Sequence, residues 1–190
     1  MSSKQNWRGY LKTLAKDFAS WENIKSILLG VALALVIRTF IIQAYKIPSG
    51  SMRPTLIEGD RILVNKYVYR FREPGPGEVI VFRYPEDRKR EFIKRLIGRG
   101  GDAVAIRDHM LLLNGHVMDH PPFSRHQYVN VGSLADPNAA ITVPADMYFV
   151  LGDNSMSSRD SRYWGFVPKK DLIGKALVIF WPPNRWRVIR

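Results

Sequence analysis

The chain has 190 residues, which is enough for one domain of ordinary size together with a short terminal segment. It contains no cysteine, so disulfide frameworks, cysteine metal sites and thiol nucleophiles are excluded. The 29 Lys and Arg residues against 17 Asp and Glu give a net charge of +12, which favours a neighbour with an anionic surface, either nucleic acid or acidic lipid headgroups.

Residues 1–23 form a leader in which basic and aromatic side chains are mixed. This composition suits an amphipathic stretch lying at a membrane surface, and equally a polar leader without fixed structure. We interpret it as a cytoplasmic leader to the apolar segment that follows.

Residues 24–45 read IKSILLGVALALVIRTFIIQAY, and their apolar part is interrupted only by Arg38 and Thr39. About 20 helical residues rise roughly 30 Å, the thickness of the hydrocarbon core of a bilayer. A helix buried in a soluble core is the alternative, but apolar side chains on every side favour lipid. A cleavable signal peptide fits less well, because the leader is long and no A-x-A site follows. We predict a transmembrane helix over residues 24–45, and basic residues on both flanks leave its orientation open.

Residues 46–190 contain short runs rich in Val, Ile, Phe and Tyr that are separated by Gly, Pro, Asn and Asp, a pattern typical of β-structure. Asn114-Gly115 marks a two-residue hairpin turn between two such runs. Residues 120–144 read as a loop without a predicted structure. The predicted strands are residues 61–71, 78–84, 92–97, 103–107, 110–113, 147–151 and 172–180.

Four ordered blocks lie beyond the apolar segment. The first, residues 47–60, reads IPSGSMRPTLIEGD; the others are residues 60–85, then EFIKRLIGRGGD at 91–102 and GDNSMSSRDSRYWGFVP at 152–168. Together they resemble the bacterial type I signal peptidase family, membrane-anchored serine endopeptidases in which an S-G-S-M-x-P-T-L motif follows the anchor. The resemblance spans most of the chain beyond residue 46.

The resemblance implies that Ser51 is the nucleophile and Lys94 the general base. A serine hydroxyl needs a neighbouring base that removes its proton as it attacks a carbonyl. A lysine with an ordinary pKa is neutral in only about one molecule in a few thousand at pH 7, so burial must lower that pKa by roughly three. Lys94 follows Ile93 in an apolar run, which is consistent with burial. Read without the resemblance, Lys94 is an exposed residue of an alternating strand.

The resemblance also assigns supporting roles. The Ser51 amide and the Ser49 hydroxyl would form the oxyanion hole. Ser158 would orient the lysine amine, with Asp160 and Arg162 as a supporting ion pair.

The last block departs from the family pattern. The family usually has an Arg-Asp pair directly after GDN, whereas this chain has Ser155 and Met156. A charged support of the site is therefore absent or supplied by another residue, for which Arg159 is the candidate.

The resemblance implies that the substrate binds as an extended strand between residues 43–48 and 91–93, an instance of β-augmentation. Shallow apolar pockets would then accept small side chains, which gives an A-x-A preference. The candidate pocket residues are Ile47, Met52, Phe92 and Ile93.

Other classes of function fit less well. Self-cleaving repressors of the SOS response also combine serine and lysine, but they carry a DNA-binding domain where this chain has its apolar segment. A catalytically inactive scaffolding protein of the same fold stays open, although both dyad positions are occupied. No nucleic-acid recognition module is present. Four histidines, His109, His116, His120 and His126, lie close in sequence, but we predict neither a metal site nor a histidine base.

The sequence therefore predicts a mostly-β catalytic domain, a barrel or sheet resembling that of signal peptidases, with one N-terminal transmembrane helix. We expect it at the outer, periplasmic or extracytoplasmic, face of a bacterial cytoplasmic membrane, although a mitochondrial or plastid relative stays open. Its expected partners are exported preproteins and membrane lipid, near the secretion translocon, with no nucleic acid. No cofactor is expected.

Overall fold

The computed structural model describes residues 21–36, 41–132, 134 and 139–190. The chain divides into two compact units, Met1–Ile41 and Ile42–Arg190. Most of the leader predicted over residues 1–23 lies outside the described residues.

Helix α1, Trp21–Val36, is the described part of the first unit. Its sequence is rich in Leu and Ala, which are good helix formers, and Glu22 in the first turn complements the positive end of the helix dipole. Its side chains over residues 21–35 are exposed. Across the described ranges, no helix combines the length and the apolar character needed to cross a membrane.

The helix predicted over residues 24–45 extends too far at its C-terminal end. Strand β1, Ile42–Lys46, pairs antiparallel with strand β2, Arg61–Asn65, so that Ile42 lies opposite Asn65. Pairing with β2 provides hydrogen bonds to this backbone, and this tertiary context overrides the apolar pattern that continues from the helix. Residues 37–40 lie outside the described residues.

Twelve strands form two antiparallel sheets in the described part of the second unit. The larger sheet has the order β1-β2-β11-β3-β4-β9-β10, with β12 paired to β11, and the smaller has the order β7-β6-β5-β8. The remaining strands are β3 Val79–Tyr84, β4 Asp87–Arg99, β5 Ala103–Arg107, β6 Met110–Leu113, β7 His116–Val117, β8 Ile141–Thr142, β9 Met147–Leu151, β10 Val167–Pro168, β11 Leu172–Trp181 and β12 Arg187–Val188. A short helix, α2 Ser161–Trp164, precedes β10.

The mostly-β prediction is confirmed, and β5, β6 and β9 have the predicted bounds. The turn between β6 and β7 has positive φ angles at Asn114 and Gly115, 53° and 81°, as this type of hairpin turn requires. The strand predicted over residues 61–71 ends at Asn65 instead. The Asn65 side-chain oxygen accepts hydrogen bonds from the amides of Tyr67 and Val68 at 2.8 and 3.0 Å, and this local turn replaces the sheet ladder.

Strand β4 lies between two groups of core side chains. Ile93 packs against a cluster that contains Ile47 and Met52. Its neighbour Phe92 packs against a different cluster, which contains Leu96. This alternation is the ordinary consequence of a strand's two-residue period, and it places Lys94 on the same face as Phe92.

Residues 120–144, for which the sequence predicts a loop, contribute to the core. Phe123 and Tyr128 are buried in a cluster with Phe149, and residues 141–142 form strand β8. Residues 133 and 135–138 lie outside the described residues.

Candidate active site

Ser51 lies in a turn of 3-10 helix, Gly50–Met52, shortly after strand β1. The loop that carries this turn is closed at its base, because the Ile47 amide donates to the Asp60 carbonyl at 2.8 Å. Met52 is buried in the core cluster that contains Ile47. The turn is thereby fixed on the core and holds Ser51 half-buried.

Lys94 is almost fully buried, with 4% of its surface exposed, and its Nζ lies 2.7 Å from Ser51 Oγ. Burial lowers the pKa of Lys94 to about 8, because the ammonium form loses its hydration. The carboxylates of Asp160 and Asp153 oppose this lowering, and the Arg162 guanidinium adds to it. At this pKa, about one lysine in ten is neutral at pH 7. The amine can therefore act as a proton acceptor near neutral pH.

The Ser49 hydroxyl lies beside the same serine. Its Oγ is 3.4 Å from Ser51 Oγ, at the long end of hydrogen-bond distance. A hydroxyl at this position can donate to an oxygen atom held next to Ser51.

Gly152 directly follows β9 and packs against the turn that carries Ser51. A Cβ atom at this position would lie 2.1 Å from Ser158 Oγ and 2.5 Å from the Ser51 carbonyl oxygen, so only glycine allows this approach. The Gly152 amide also donates to Asp160 Oδ2 at 3.0 Å. Sequence reasoning missed this residue, although a glycine directly after a strand is a general sign of close backbone approach.

Ser158 lies in the site, but the bond expected from it is not formed. Its hydroxyl is buried and makes no hydrogen bond with any residue that the structure describes. Its role in orienting the Lys94 amine therefore stays a prediction that rests on the resemblance.

Asp160 and Arg162 form a fully buried ion pair. The Arg162 Nε and Nη2 atoms donate to the two carboxylate oxygens of Asp160, each at 2.8 Å. Nη1 of the same guanidinium donates to the Val129 carbonyl and to Ser155 Oγ, again at 2.8 Å. Because Asp160 also accepts from the Gly152 amide, the pair braces the last block at the residue that packs against the Ser51 carbonyl.

The structure shows what replaces the usual Arg-Asp pair. Ser155 is buried, and its hydroxyl oxygen accepts hydrogen bonds from the Arg162 guanidinium and from the Val129 amide, the latter at 3.0 Å. It therefore joins the last block to the segment around Val129. Met156 is exposed. The suggestion that Arg159 supplies the missing charge is wrong, because its guanidinium is exposed and pairs with Glu86 at the surface.

A second buried ion pair was not predicted from the sequence. Arg95, next to Lys94, donates through Nε and Nη2 to the carboxylate of Asp153 at 2.7 and 2.6 Å, and both side chains are buried. Arg95 also donates to the Gly77 carbonyl at 2.5 Å. The two partners are 58 residues apart, and no local pattern indicates that they pair. This bidentate contact fixes strand β4 against the last block.

The four predicted pocket residues do not share one surface. Ile47 and Met52 are buried in the core, and Ile93 packs against them. Phe92 lies on the opposite face of β4, where its ring stacks on Tyr84 with the centroids 4.3 Å apart. The Lys94 Nζ lies 5.7 Å from the centroid of the Phe92 ring, so Phe92 borders the lysine.

Two strand edges near these residues are open. Residues 91–94 pair with β3 on one side, and β4 pairs with β9 only from Arg95 onward. Strand β1 pairs with β2 alone among the described residues. Tyr45 of β1 and Ile93 of β4 pack against the same cluster, which brings the two open edges into one region.

Among the described residues, no histidine forms a hydrogen bond with Ser51, whose hydroxyl contacts Ser49 and Lys94. His126 has a buried side chain whose Nε2 is 3.6 Å from Asp153 Oδ2, and burial lowers its pKa. The other three histidines are exposed. Within the described ranges, no group of three or more His, Asp or Glu side chains could hold a metal ion.

Comparisons with known proteins give a consistent result. The family model described as "Signal peptidase, peptidase S26" matches residues 20–181. A "Signal peptidase I" of Leptolyngbya laminosa is 43% identical over 176 residues, which cover 89% of this chain and 83% of that protein. A "Probable signal peptidase I-2" of Synechocystis sp. is 41% identical over 166 residues, covering 85% and 73%. A "Signal peptidase I" of Aquifex aeolicus is 34% identical over 214 residues and covers 84% of each chain.

Proposed function

Because the chain belongs to the signal peptidase family, peptidase S26, and is a serine peptidase that acts in signal-peptide removal, we propose that Ser51 is its nucleophile and Lys94 its general base. The resemblance drawn from the motifs is confirmed at the level of the family. The observation that carries the proposal is the 2.7 Å approach of a buried lysine amine to a serine hydroxyl.

This geometry supports the following reaction. Neutral Lys94 accepts the proton of the Ser51 hydroxyl as Oγ attacks the scissile carbonyl carbon. The Ser51 amide and the Ser49 hydroxyl donate to the oxyanion of the tetrahedral intermediate. The Lys94 ammonium then gives its proton to the leaving amine, and an ester between Ser51 and the signal peptide remains. A water molecule that loses a proton to neutral Lys94 hydrolyses this ester and regenerates both residues.

The open edges of β1 and β4 support the mode of substrate binding. We propose that the residues before the cleavage site add as an extended strand to these edges, near residues 43–48 and 91–93. Ile47 and Met52 are buried in the core, which supports the proposal that the pockets beside these edges are shallow. Small residues therefore fit best, which favours cleavage after A-x-A.

The family and the composition support a proposal for the cellular setting. We propose that the apolar segment that begins at residue 24 and ends before β1 anchors the enzyme in a bacterial cytoplasmic membrane, with the catalytic domain on the outer face. The net charge of +12 favours contact with acidic lipid. Preproteins would reach the enzyme as they emerge near the translocon. The reaction as written uses no metal or organic cofactor.

Cleavage of a preprotein whose signal ends in A-x-A, in detergent, tests the proposal. We expect wild type to cut after the second Ala, and Ser51→Ala and Lys94→Ala to lose essentially all activity. Ser157→Ala and Lys175→Ala are matched controls, because Ser157 is exposed and Lys175 pairs with Glu78 at 2.6 Å. Near-normal cleavage by Lys94→Ala would show that the base is another group. Loss of activity in EDTA with recovery on adding zinc would contradict the metal-free reaction.

A further inference from the structure

Asn154 holds the turn that carries Ser51 at two points. Its side-chain Nδ2 donates to the Gly50 carbonyl oxygen at 3.1 Å, and its backbone amide donates to the Ser51 carbonyl oxygen, also at 3.1 Å. The two contacts lie on either side of the Ser51 amide. Asn154 is more than 100 residues from the turn along the chain, so this contact comes from tertiary packing.

The side-chain contact acts on one particular peptide group. The Gly50 carbonyl and the Ser51 N–H belong to the same planar trans peptide, so they point in opposite directions and rotate together. A donor that fixes the carbonyl therefore also fixes the direction of the N–H. This N–H is one of the two oxyanion donors in the proposed reaction.

The Gly50 carbonyl oxygen accepts two hydrogen bonds. The Arg53 amide donates to the Gly50 oxygen at 3.1 Å, in addition to the Asn154 side chain at the same distance. Hydrogen bonds to a peptide oxygen polarise that peptide and strengthen its N–H as a donor. Removing the Asn154 contact should therefore loosen the peptide plane and weaken the donor.

We propose that Asn154 is a positioning residue for the oxyanion hole, which it orients through the Gly50–Ser51 peptide. This inference rests on the proposed function, in which Ser51 is the nucleophile. The hydrogen bonds of Asn154 go to Gly50, Ser51 and Ser157 and not to Lys94, so we expect its effect on stabilisation of the oxyanion rather than on proton transfer.

The test compares wild type with Asn154→Ala as full-length chains in detergent. Two peptides that end in A-x-A serve as probes, one with a terminal aldehyde and one with the corresponding alcohol. Ser51 Oγ adds to the aldehyde carbon while its proton passes to Lys94, and the resulting oxyanion needs the oxyanion hole. The alcohol binds without forming this oxyanion.

We expect kcat of Asn154→Ala to fall roughly tenfold, less than the hundredfold or more that follows direct loss of a donor. KM and the affinity for the alcohol should stay within about twofold, while affinity for the aldehyde falls by the same factor as kcat. The midpoint of the pH–rate profile should not move, because Lys94 keeps its surroundings. Asn130→Ala is the matched control, since it removes a similar bond, from Nδ2 to the Ile106 carbonyl at 3.0 Å, and should keep wild-type kcat.

Wild-type kcat in Asn154→Ala would overturn the inference, as would equal losses of aldehyde and alcohol binding or a shifted pH midpoint. If Asn154→Ala does not fold, Asn154→Asp keeps the side chain's size but cannot donate to Gly50, and the same pattern of kcat and aldehyde binding is expected. Cleavage that survives Ser51→Ala would instead contradict the proposed function.

Discussion

Replacing Lys94 by Met should raise the free energy of unfolding at neutral pH while it abolishes activity. In the folded protein, burial lowers the pKa of Lys94 from its ordinary value of 10.5 to about 8. At about 1.4 kcal/mol for each pH unit, this difference corresponds to roughly 3 kcal/mol. Methionine fills a similar space without a charge, so the Lys94→Met variant avoids the cost of a buried ammonium.

The sign of the pH dependence follows from proton binding. Between pH 8 and 10.5 the unfolded chain keeps the proton on Lys94 and the folded chain has lost it, so wild-type stability rises with pH across this window. Below pH 8 both states are protonated, and the cost of burying the ammonium is present in full. The stability advantage of Lys94→Met should therefore be largest at pH 7 and shrink by about 3 kcal/mol by pH 10.5.

Urea unfolding of both full-length proteins in detergent, followed by tryptophan fluorescence at pH 7, 9 and 10.5, measures this difference. Comparing the two proteins at each pH cancels the titration of the buried tyrosines, whose pKa values are also shifted. A difference in unfolding free energy that stays constant from pH 7 to 10.5 would contradict this prediction, because Lys94 would then titrate alike in the folded and unfolded states.

Three further predictions concern activity. The value of kcat/KM should rise through a pH near 8 as Lys94 becomes neutral, and a profile that is flat from pH 6 to 10 would contradict this. Gly152→Ala should lower kcat at least about a hundredfold, because its Cβ would overlap both Ser158 and the Ser51 carbonyl oxygen and force them to move. Gly75→Ala, where a Cβ meets nothing within 4 Å, is the control. Equal rates in both variants would contradict the steric argument. Ser49→Ala should lower kcat roughly a hundredfold or more with little change in KM, because it removes one donor to the oxyanion. Steady-state peptide cleavage measures both constants. A change confined to KM would show that Ser49 binds substrate only.

Much of the β-domain could be predicted from local pattern. Strands β5 and β6 are short apolar runs bounded by Gly, Asp and Asn residues. The Asn114-Gly115 pair specifies the turn after β6, because both positions need positive φ. Strand β1 could not be predicted, because it continues an apolar run and becomes a strand only through pairing with β2. Strands β8, β10 and β12 have two residues each, too few to show a period.

The candidate site was predictable where a motif carries the chemistry. Ser51 and Lys94 are 43 residues apart, yet the motifs identified both residues. The structure brings their side chains within hydrogen-bond distance. The pairing of Arg95 with Asp153 has no such signal, because any carboxylate could neutralise a buried arginine. The role of Ser155 could not be predicted either, because its hydrogen bonds with Arg162 and Val129 depend on tertiary packing.

Whether Ser51 is the nucleophile can be measured directly with an activated peptide ester whose acyl part ends in A-x-A, because its acyl group should form an ester on Ser51. Mass spectrometry after acid quenching would locate and time the adduct. We expect wild type to gain the acyl group on Ser51, at a rate that rises through a pH near 8, and Lys94→Met to gain essentially none. An adduct on another residue, or equal rates in wild type and Lys94→Met, would contradict a serine nucleophile activated by a neutral buried lysine.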